Sequence, residues 1–418
     1  MNKLRVLLIA PECPWPPDLG LKTHLFHVIG ELAEGTDLTV HGFYFSEPER
    51  ERWRTFARDQ AFTLGGLTPV HTGWHLRWEQ LRCLAAGRPL AGARYAVATA
   101  QRAVWRSVTE AGRNGRPYDW VAFEVFHTLM RLPAGVGPRR LLFPVDCYSL
   151  YYRRMHEHAS TAKEWLRTLY LGVTCARMER RLYQGIDLIA TVAEADAAAL
   201  RRQLPGVRVE VLSVPVTDRP ERRAFAAEGR MPRVLVGGYF AMPTIARDAR
   251  LFLEAWARQP ARPPVELMVW GRGAREAGLE AVCRRAGAQM VEWVDDYDSF
   301  LASADVYVYP QRFACGVQTK IQQAMRAGLA VLAAPVVMEP LGVTHGVEGW
   351  SISGPQAAAG DLAGLLGSLA DIDRLGRAAA ALMQERFAPE LIGRQLHRLL
   401  ADAEFSGLVH DHDHLLPC

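Results

Sequence analysis

The 418-residue chain lacks several features that would assign it to a function class at once. No uninterrupted apolar run reaches about 18 residues, so the sequence predicts no transmembrane helix. The seven cysteines form neither a CxxC pair nor an even framework, which argues against structural zinc and disulfides and predicts a reducing, cytoplasmic location. The GxGxxG and GxxxxGK(S/T) motifs are both absent, so hydride transfer and ATP hydrolysis by those routes are disfavoured.

The charge balance is close to neutral, with 49 Lys and Arg residues against 45 Asp and Glu and a net charge of +4. So small a surplus predicts no nucleic-acid partner, but it is compatible with an anionic small molecule or with peripheral contact to a membrane surface. Hydrophobic residues make up 49% of the chain and charged residues 22%, a globular composition that excludes disorder as its main character. At roughly 150 residues a domain, the length predicts two or three domains.

Strand and helix patterns alternate in two series, each of which opens with a strand, a glycine-containing loop and a helix. The first series starts with an apolar strand at Arg5–Ala10 and an amphipathic helix at 22–33. The second starts with a strand at 233–236 and a helix at 245–259, after a polar stretch at 216–232 that is interpreted as the interdomain connection. Such alternation predicts an α/β fold with parallel, doubly wound sheets.

Less regular parts of the chain carry weaker patterns. The Arg-rich stretch 47–116 and the stretch 155–183 are interpreted as helical, and so is the chain beyond the strand at 330–334. The predicted boundaries are 1–216 for a first domain, 217–388 for a second, 389–405 for a final helix that crosses back to the first domain, and 406–418 for a disordered tail.

Three loops lie at predicted carboxyl ends of strands, where open α/β sheets bind their ligands. The first runs from Pro16 to Gly20 and into a helix, whose N-terminus is a natural anion site. The other two hold Gly238, and Arg272 between two glycines, where the missing Cβ allows the backbone to approach a ligand closely. Each loop alone is also an ordinary connecting turn, but the last two together favour a nucleotide-binding half.

The stretch YPQRFACGVQTKIQQAMRAGLAVLAAP at 309–335 is the most specific in the chain. It resembles the C-terminal half of GT-B glycosyltransferases related to family 4, which carry G-x-x-x-K-x-x-E-A-M-A-x-G-x-P-V-V at this place. The positions that match are Gly316, Lys320, Ala324, Met325, Gly328 and Val331. In outline the resemblance extends over nearly the whole chain, since PPDLGLKTHLFHVIGELA near the N-terminus is similar to the P-P-x-x-G-x-R opening of the same enzymes.

The resemblance implies a fold, a reaction and a set of site residues. The implied fold is GT-B, with two Rossmann-like doubly wound domains that face each other across a cleft, the first for the acceptor and the second for the donor. The implied reaction moves a sugar from a nucleotide-sugar donor to a glycan, lipid-linked or small-molecule acceptor, with retention at the anomeric carbon and with no metal or other cofactor. The implied donor-binding residues are Gly20, Gly238, Arg272, Trp293, Cys315, Gly316, Val317, Gln318, Thr319 and Gln323.

His127 and Lys320 are the implied catalytic residues. His127 follows a predicted strand, where the family places a histidine near the donor sugar, and Asp146 ends a further strand and is assigned to the acceptor side. A lone histidine after a strand is also a common core residue, and an aspartate there is also a common helix N-cap. Besides Lys320, the cations available for the donor diphosphate are Arg272 and Arg312.

The sequence departs from the family at its Glu-x7-Glu pair, whose positions hold Cys315 and Gln323. Glutamine can hydrogen-bond a ribose diol, but a thiol is too weak a donor and acceptor to replace a carboxylate beside a sugar hydroxyl. One hypothesis is therefore a donor that lacks that hydroxyl, such as a deoxyhexose. Two alternatives stay open: a non-catalytic GT-B protein that binds nucleotide or glycan or supports a partner transferase, and sugar-nucleotide epimerisation, for which the sequence reveals no acid–base carboxylates.

Overall fold

The computed structural model describes residues 3–17, 20–129, 138–217 and 230–402. Within these residues the chain forms two compact units. The first holds the chain up to His156, Ser160–Val214 and the residues from Glu390, and the second holds Glu157–Ala159 and Pro215–Pro389. The predicted tail at 406–418 and most of the predicted connection at 216–232 lie outside the described residues.

The first unit is built on a parallel sheet. Its strands are β1 (Arg5–Ala10), β2 (Asp37–Tyr44), β3 (Thr63–Pro69), β4 (Trp120–Glu124), β5 (Arg139–Val145), β6 (Leu188–Thr191) and β7 (Arg208–Val211). Its helices are α1 (Gly20–Gly35), α2 (Glu47–Asp59), α3 (Gly73–Ala85), α4 (Ala98–Arg113), α5 (Tyr148–Glu157), α6 (Ala162–Leu182), α7 (Glu194–Gln203) and α15 (Pro389–Asp402). The strand order is β3-β2-β1-β4-β5-β6-β7, and because parallel neighbours need crossover connections, helices lie on the faces of the sheet.

The second unit repeats this architecture with six strands. These are β8 (Arg233–Gly237), β9 (Glu266–Trp270), β10 (Ala288–Val291), β11 (Val306–Tyr309), β12 (Ala330–Ala333) and β13 (Trp350–Ser351). The helices are α8 (Pro243–Ala257), α9 (Glu280–Ala286), α10 (Tyr297–Ala302), α11 (Thr319–Arg326), α12 (Pro335–Met338), α13 (Pro355–Leu365) and α14 (Leu369–Phe387). The strand order is β10-β9-β8-β11-β12-β13, again with parallel pairing throughout. The predicted pair of doubly wound, Rossmann-like domains is confirmed.

The second sheet is buried on both faces, and β11 illustrates how. All four of its residues are buried. Val306 and Val308 belong to one apolar cluster of the unit, whereas Tyr307 and Tyr309 belong to another. Because successive side chains of a strand point to opposite faces, a single strand contributes to two cores. This is why the strands appear in the sequence as continuous apolar runs rather than as alternating patterns.

The prediction that 47–116 is helical throughout is wrong at the edge strand β3. Gly65 and Gly66 lie in the middle of this strand. Glycine weakens a strand and breaks its apolar alternation, so the sequence pattern conceals it. Pairing with β2 holds the strand in place, with a register shift between Val40 and His41.

The stretch 155–183 contains two helices rather than one, because α6 has its own start signal. The side chain of Thr161 accepts a hydrogen bond from the backbone N–H of Glu164. The Glu164 carboxylate in turn accepts one from the backbone N–H of Ser160 at 2.9 Å. This exchange is close to a capping box and fixes the beginning of the second helix. The two-residue strand β13 likewise interrupts the stretch after 334 that was predicted to be helical, and it is too short to leave a pattern.

The last described helix, α15, packs on the first unit. Four of its residues are buried in the apolar cluster that surrounds β1: Ile392, Leu396, Leu399 and Leu400. The Gln395 side chain also donates from Nε2 to the carbonyl oxygen of Val211, the last residue of β7, at 2.7 Å. The core of the first unit is therefore completed by residues from the far end of the chain.

Leu396→Ala should destabilise the first unit far more than Leu391→Ala on the same helix. Leu396 is buried, so its truncation leaves a cavity that costs about 2–5 kcal/mol of unfolding free energy. Leu391 is exposed, and truncating an exposed side chain changes that free energy by about 0.5 kcal/mol or less. Urea unfolding followed by circular dichroism measures both variants, and equal transition midpoints would contradict the packing of α15.

Candidate functional site

The strand order reverses once in each sheet, and each reversal opens a crevice at the carboxyl ends of two strands. In the second unit the chain runs from β8 outward through β9 and β10, then returns to the other side of β8 as β11. In the first unit the same reversal lies between β1 and β4. Open α/β sheets bind ligands at such switch points, so functional side chains are expected at these two places.

Two glycine loops meet at the switch point of the second unit. Gly271 has a φ of +139°, and a Cβ there would overlap the carbonyl oxygen of Gly238. The loops are joined by a hydrogen bond from the Phe240 backbone N–H to the Arg272 carbonyl oxygen at 2.9 Å. Glycine is required because the two backbones approach so closely. The predicted residues Gly238 and Arg272 are thus brought together in one rigid turn.

Lys320 and Arg272 are each held against an aromatic ring. The Lys320 Nζ lies 4.4 Å from the ring centroid of Trp270, and the Arg272 guanidinium lies 4.9 Å from that of Trp293. Trp270 is itself stacked on Tyr297, with 4.8 Å between their ring centroids. Cations over ring faces are attracted by the negative face of the π-system, which orients them without neutralising their charge. The structure therefore orients the ammonium group of Lys320 at this crevice without a neutralising partner among the described residues.

Burial makes the ammonium group of Lys320 unusually easy to deprotonate. Burial, together with the charge of Arg272, lowers its pKa from 10.5 to about 8. No carboxylate among the described residues forms an ion pair with it. A bound anion would compensate both effects, because opposite charge favours the protonated form. The site has the electrostatic properties of an anion-binding site rather than of a structural ion pair.

Lys320 lies in the first turn of α11, directly after the predicted loop. Gly316 has a φ of +59°, which favours glycine, and it follows the buried Cys315. The Gln318 side chain accepts a hydrogen bond from the Tyr309 hydroxyl at 2.9 Å and donates one to the Cys315 carbonyl oxygen at 3.0 Å. The amide of Gln318 therefore organises the loop itself.

The half-buried residues of this segment lie where the helix begins. They are Val317, Gln318, Thr319, Lys320 and, one turn later, Gln323. The first backbone N–H groups of a helix have no partners within it, and the helix dipole places partial positive charge there. The start of α11 thus adds backbone donors to the charge of Lys320.

Arg312 does not belong to this set of cations. Its guanidinium binds the Asp248 carboxylate, with Nε and Nη2 at 3.1 and 2.8 Å from Oδ1. Asp248 also accepts a hydrogen bond from the Arg312 backbone N–H at 3.2 Å. The interpretation of Arg312 as a diphosphate ligand is wrong, because this pair already neutralises its charge. It instead ties the loop after β11 to α8.

A buried hydrogen-bonded pair of a histidine and a glutamate, not foreseen from the sequence, occupies the switch point of the first unit. His24 on α1 contacts Glu124, the last residue of β4, with Nδ1 and Oε1 2.8 Å apart. Both side chains are almost completely buried, and the second carboxylate oxygen of Glu124 has no hydrogen-bond partner among the described residues. Burial raises the pKa of Glu124, while His24 opposes the rise. An unsatisfied buried oxygen at this place is a candidate contact for a ligand.

His127 lies one short turn beyond Glu124 among aromatic side chains. Its ring centroid is 3.9 Å from that of Phe126, 5.6 Å from that of Tyr95 and 6.1 Å from that of Tyr148. Burial lowers the pKa of His127 to about 4, so its imidazole is neutral near pH 7. Its buried Nε2 has no hydrogen-bond partner among the described residues. A neutral ring with a free nitrogen can donate or accept one hydrogen bond.

Asp146 is the fourth ionisable group at this edge of the sheet, after His24, Glu124 and His127. Its pKa is raised to about 7 by burial and by the nearby Asp196, with His24 and Arg154 acting in the opposite direction. It follows Val145, which has a φ of +65°. For a β-branched residue this conformation is strained, and such strain clusters at functional sites.

The same strain occurs one strand away, at Val125, whose φ is +57°. Val125 separates Glu124 from the turn that carries His127. Gly20 is the first residue of α1 at the same edge of the sheet, whereas positions 18 and 19 of the predicted loop lie outside the described residues. The first unit thus gathers two imidazoles, two carboxyl groups and a helix start at one switch point.

Comparison with family models gives a match within the second unit. Residues 232–368 match the family model described as Glycosyl transferases group 1. Sucrose-phosphate synthase from Thermosynechococcus elongatus has a similar structure, with a TM-score of 0.65 and 14% identity over 95% of this chain and 99% of that one. The fold is GT-B. The resemblance found in the sequence is thereby confirmed, although its relation to family 4 and the Glu-x7-Glu pair stay predictions.

Two further solved structures show the same fold over nearly the full length. Anabaena HepE in complex with UDP-glucose has a TM-score of 0.60 and 15% identity, covering 95% of this chain and 100% of that one. A glycosyltransferase from Rickettsia africae has a TM-score of 0.61 and 9% identity, covering 97% of this chain and 100% of that one. Comparison of the sequence with curated proteins gives no match.

The described residues lack two further features. They contain no group of three or more His, Cys, Asp and Glu side chains arranged to hold a metal ion. Among the helices of that same part of the chain, none is long and apolar enough to cross a membrane.

His24→Ala should destabilise the first unit strongly, because it leaves the buried Glu124 without its partner. Removing one member of a buried pair costs about 3–5 kcal/mol of unfolding free energy. The matched control is the double variant His24→Leu/Glu124→Met, which removes both polar groups and should recover most of that loss. Urea unfolding compares the two, and a double variant as unstable as the single one would show that the ion pair is not the cause.

Proposed function

We propose that this protein is a glycosyltransferase that moves a sugar from a nucleotide-sugar donor, bound by the second unit, to an acceptor bound by the first. The observation that carries the proposal is the unneutralised Lys320 beside Arg272 at the switch point of the second sheet. A nucleoside diphosphate is the kind of anion that such a crevice suits. The match of residues 232–368 to Glycosyl transferases group 1 and the UDP-glucose bound to HepE support this choice.

The diphosphate would be held from three directions. Lys320 would contact it with its ammonium group, Arg272 would approach from the glycine turn, and the backbone N–H groups of 316–319 would point to it from the start of α11. Negative charge grows on this group as the bond to the sugar breaks. Fixed cations and helix N–H groups stabilise that charge without reorganising, which lowers the barrier and makes a metal ion unnecessary.

The nucleoside would lie beside this anion site. We assign the ribose hydroxyls to Gln323, which is half-buried one turn into α11 and has both a donor and an acceptor. Trp293 offers the base an exposed ring, oriented by a hydrogen bond from its Nε1 to Asp295 at 3.1 Å. Gly238 would contribute close backbone contact at the same crevice.

The sugar would be bound near Cys315. Cys315 offers no strong acceptor, so a donor that lacks the corresponding hydroxyl leaves nothing buried unpaired. A deoxyhexose is the sugar class that fits this property. Neutral His127 would hydrogen-bond the donor sugar, and Asp146 would receive the proton of the acceptor hydroxyl, for which a pKa of about 7 suits a general base. Gly20 would contribute the N-terminus of α1, where backbone N–H groups can donate hydrogen bonds.

Retention at the anomeric carbon follows if the acceptor approaches on the face from which the diphosphate departs. The proton lost by the acceptor hydroxyl ends on Asp146, and the electron pair of the broken bond stays on the diphosphate oxygen. Nuclear magnetic resonance of the product gives the anomeric configuration directly. An inverted product would contradict this part of the proposal.

Donor turnover tests the function itself. The purified chain is incubated with a panel of sugar nucleotides that includes matched hexose and deoxyhexose donors, with and without EDTA, and released nucleoside diphosphate is measured. We expect slow release from at least one donor, insensitive to EDTA, and faster for the deoxyhexose of the matched pair. A preference of about a hundredfold or more for the fully hydroxylated donor would refute the deoxyhexose assignment. Nucleotide binding without any release would instead favour the non-catalytic alternative, which the replacement by Cys315 motivates.

Lys320→Ala should lower kcat/KM, because it removes about 2–4 kcal/mol of transition-state stabilisation, the loss typical of one such donor. In the wild type, kcat/KM should fall as the pH rises through about 8, because Lys320 is protonated below that value and neutral above it. Lys320→Arg is the matched control, since a guanidinium stays charged and should remove this fall. Unchanged turnover in Lys320→Ala, or an identical alkaline fall in Lys320→Arg, would contradict the assignment.

A further inference from the structure

Helix α3 (Gly73–Ala85) lies on the surface of the first unit without burying a single residue. Its outer face is apolar: Trp74 is 73% exposed, Trp78 53% and Leu81 58%. These three residues are separated by four and three positions, so they form one continuous stripe along the helix. Large apolar stripes of this kind on a soluble surface mark sites of interaction.

The opposite face of α3 attaches the helix to the unit. Leu76, Gln80 and Cys83, which have the same spacing as the stripe, are half-buried. The packing of this face therefore orients the two tryptophans outward.

Basic side chains border the stripe on both sides. Arg77 lies three residues after Trp74 and four before Leu81, and Arg82 lies four residues after Trp78. Both arginines are exposed. The single acidic residue of the helix, Glu79, is half-buried and accepts a hydrogen bond from Arg82 at 2.9 Å. The exposed surface of α3 is thus apolar in the middle and basic at its borders, where Arg82 shares its charge with Glu79 and Arg77 has no ion pair among the described residues.

We propose that α3 binds the surface of an anionic lipid bilayer, lying in the plane of the headgroups. Tryptophan favours the boundary between headgroups and hydrocarbon, and arginine can extend from there to lipid phosphates while its stem stays among apolar groups. A helix of 13 residues spans about 20 Å, too short to cross the hydrocarbon core but suited to lying on it. The pattern matches that of interfacial amphipathic helices.

The charges favour a lipid surface over a second copy of this chain. Pairing two α3 stripes would bring Arg77 and Arg82 of both copies together, and like charges in contact oppose association. An anionic membrane instead provides opposite charge on both sides of the stripe. This inference goes beyond the proposed function and does not depend on it, since it concerns where the chain is held and not what it transfers.

Co-sedimentation of the full chain with lipid vesicles tests the proposal. One set of vesicles is phosphatidylcholine and the other contains roughly 30% phosphatidylglycerol. We expect the wild type to bind the anionic vesicles more tightly, and less so as salt is raised. Trp74→Ser/Trp78→Ser should weaken binding by at least about tenfold, because two interfacial side chains are lost. Arg77→Gln should weaken binding to the anionic set alone, by about fivefold.

The chain offers a matched control on α6, where Trp165 and Leu169 form a second exposed apolar pair. Trp165→Ser/Leu169→Ser should leave vesicle binding unchanged. Circular dichroism and nucleoside-diphosphate binding should be as in the wild type for both double variants, which separates loss of membrane binding from loss of folding or of the donor site.

Three results would overturn the proposal. The first is a wild type that does not bind anionic vesicles, and the second is vesicle binding that survives in Trp74→Ser/Trp78→Ser or disappears in the α6 variant. The third is a wild-type dimer in analytical ultracentrifugation that the α3 variant converts to a monomer, because a second copy would then cover the stripe.

Discussion

Parallel strands can be joined only by crossovers, and this constraint determines where the chemistry of the protein lies. Each crossover returns the chain to the same end of the sheet, so the carboxyl ends of all strands and the starts of the following helices share one edge. Where the strand order reverses, two of these connections diverge and leave a crevice between them. Both candidate sites lie at such reversals, between β8 and β11 and between β1 and β4. The residues at each edge come from distant parts of the chain for this reason alone.

The two crevices manage buried charge in opposite ways. In the first unit Glu124 is stabilised by His24, and the pair contributes local order at the cost of its own desolvation. In the second unit the Lys320 ammonium lies over an aromatic ring and forms no ion pair with a carboxylate of the described residues. Burial and the charge of Arg272 lower its pKa to about 8. An anion bound beside Lys320 would favour its protonated form and so offset the effect of burial. In the first crevice one oxygen of Glu124 keeps no hydrogen-bond partner among the described residues, and in the second Lys320 forms no ion pair with a carboxylate of that part of the chain.

Local patterns predicted the architecture well, but they could not predict contacts between distant residues. The match of Gly316, Lys320 and Gly328 to a family segment located the second crevice, since those positions are contiguous in sequence. The capture of Arg312 by Asp248 joins residues 64 positions apart, and the contact of His24 with Glu124 spans 100 positions. Neither leaves a trace in periodicity or composition. The contact of His24 with Glu124 could have been predicted only from the strand order. A doubly wound sheet with its reversal between β1 and β4 brings the ends of these two strands together. The strand β3 was missed for a different reason, namely that two glycines interrupt its pattern.

The shape of the loop before α11 does not depend on a carboxylate at position 315 or 323. Its shape depends on neutral hydrogen bonds, with the Gln318 amide linking the Tyr309 hydroxyl to the Cys315 carbonyl oxygen, and on the left-handed backbone of Gly316. None of these contacts uses a carboxylate at position 315 or 323. The backbone N–H groups at the start of the helix and the position of Lys320 are therefore preserved whatever side chains occupy those two places. Under the proposed function, the residues at 315 and 323 would set which sugar hydroxyls find a partner, and so which donor is preferred, rather than whether a diphosphate is held.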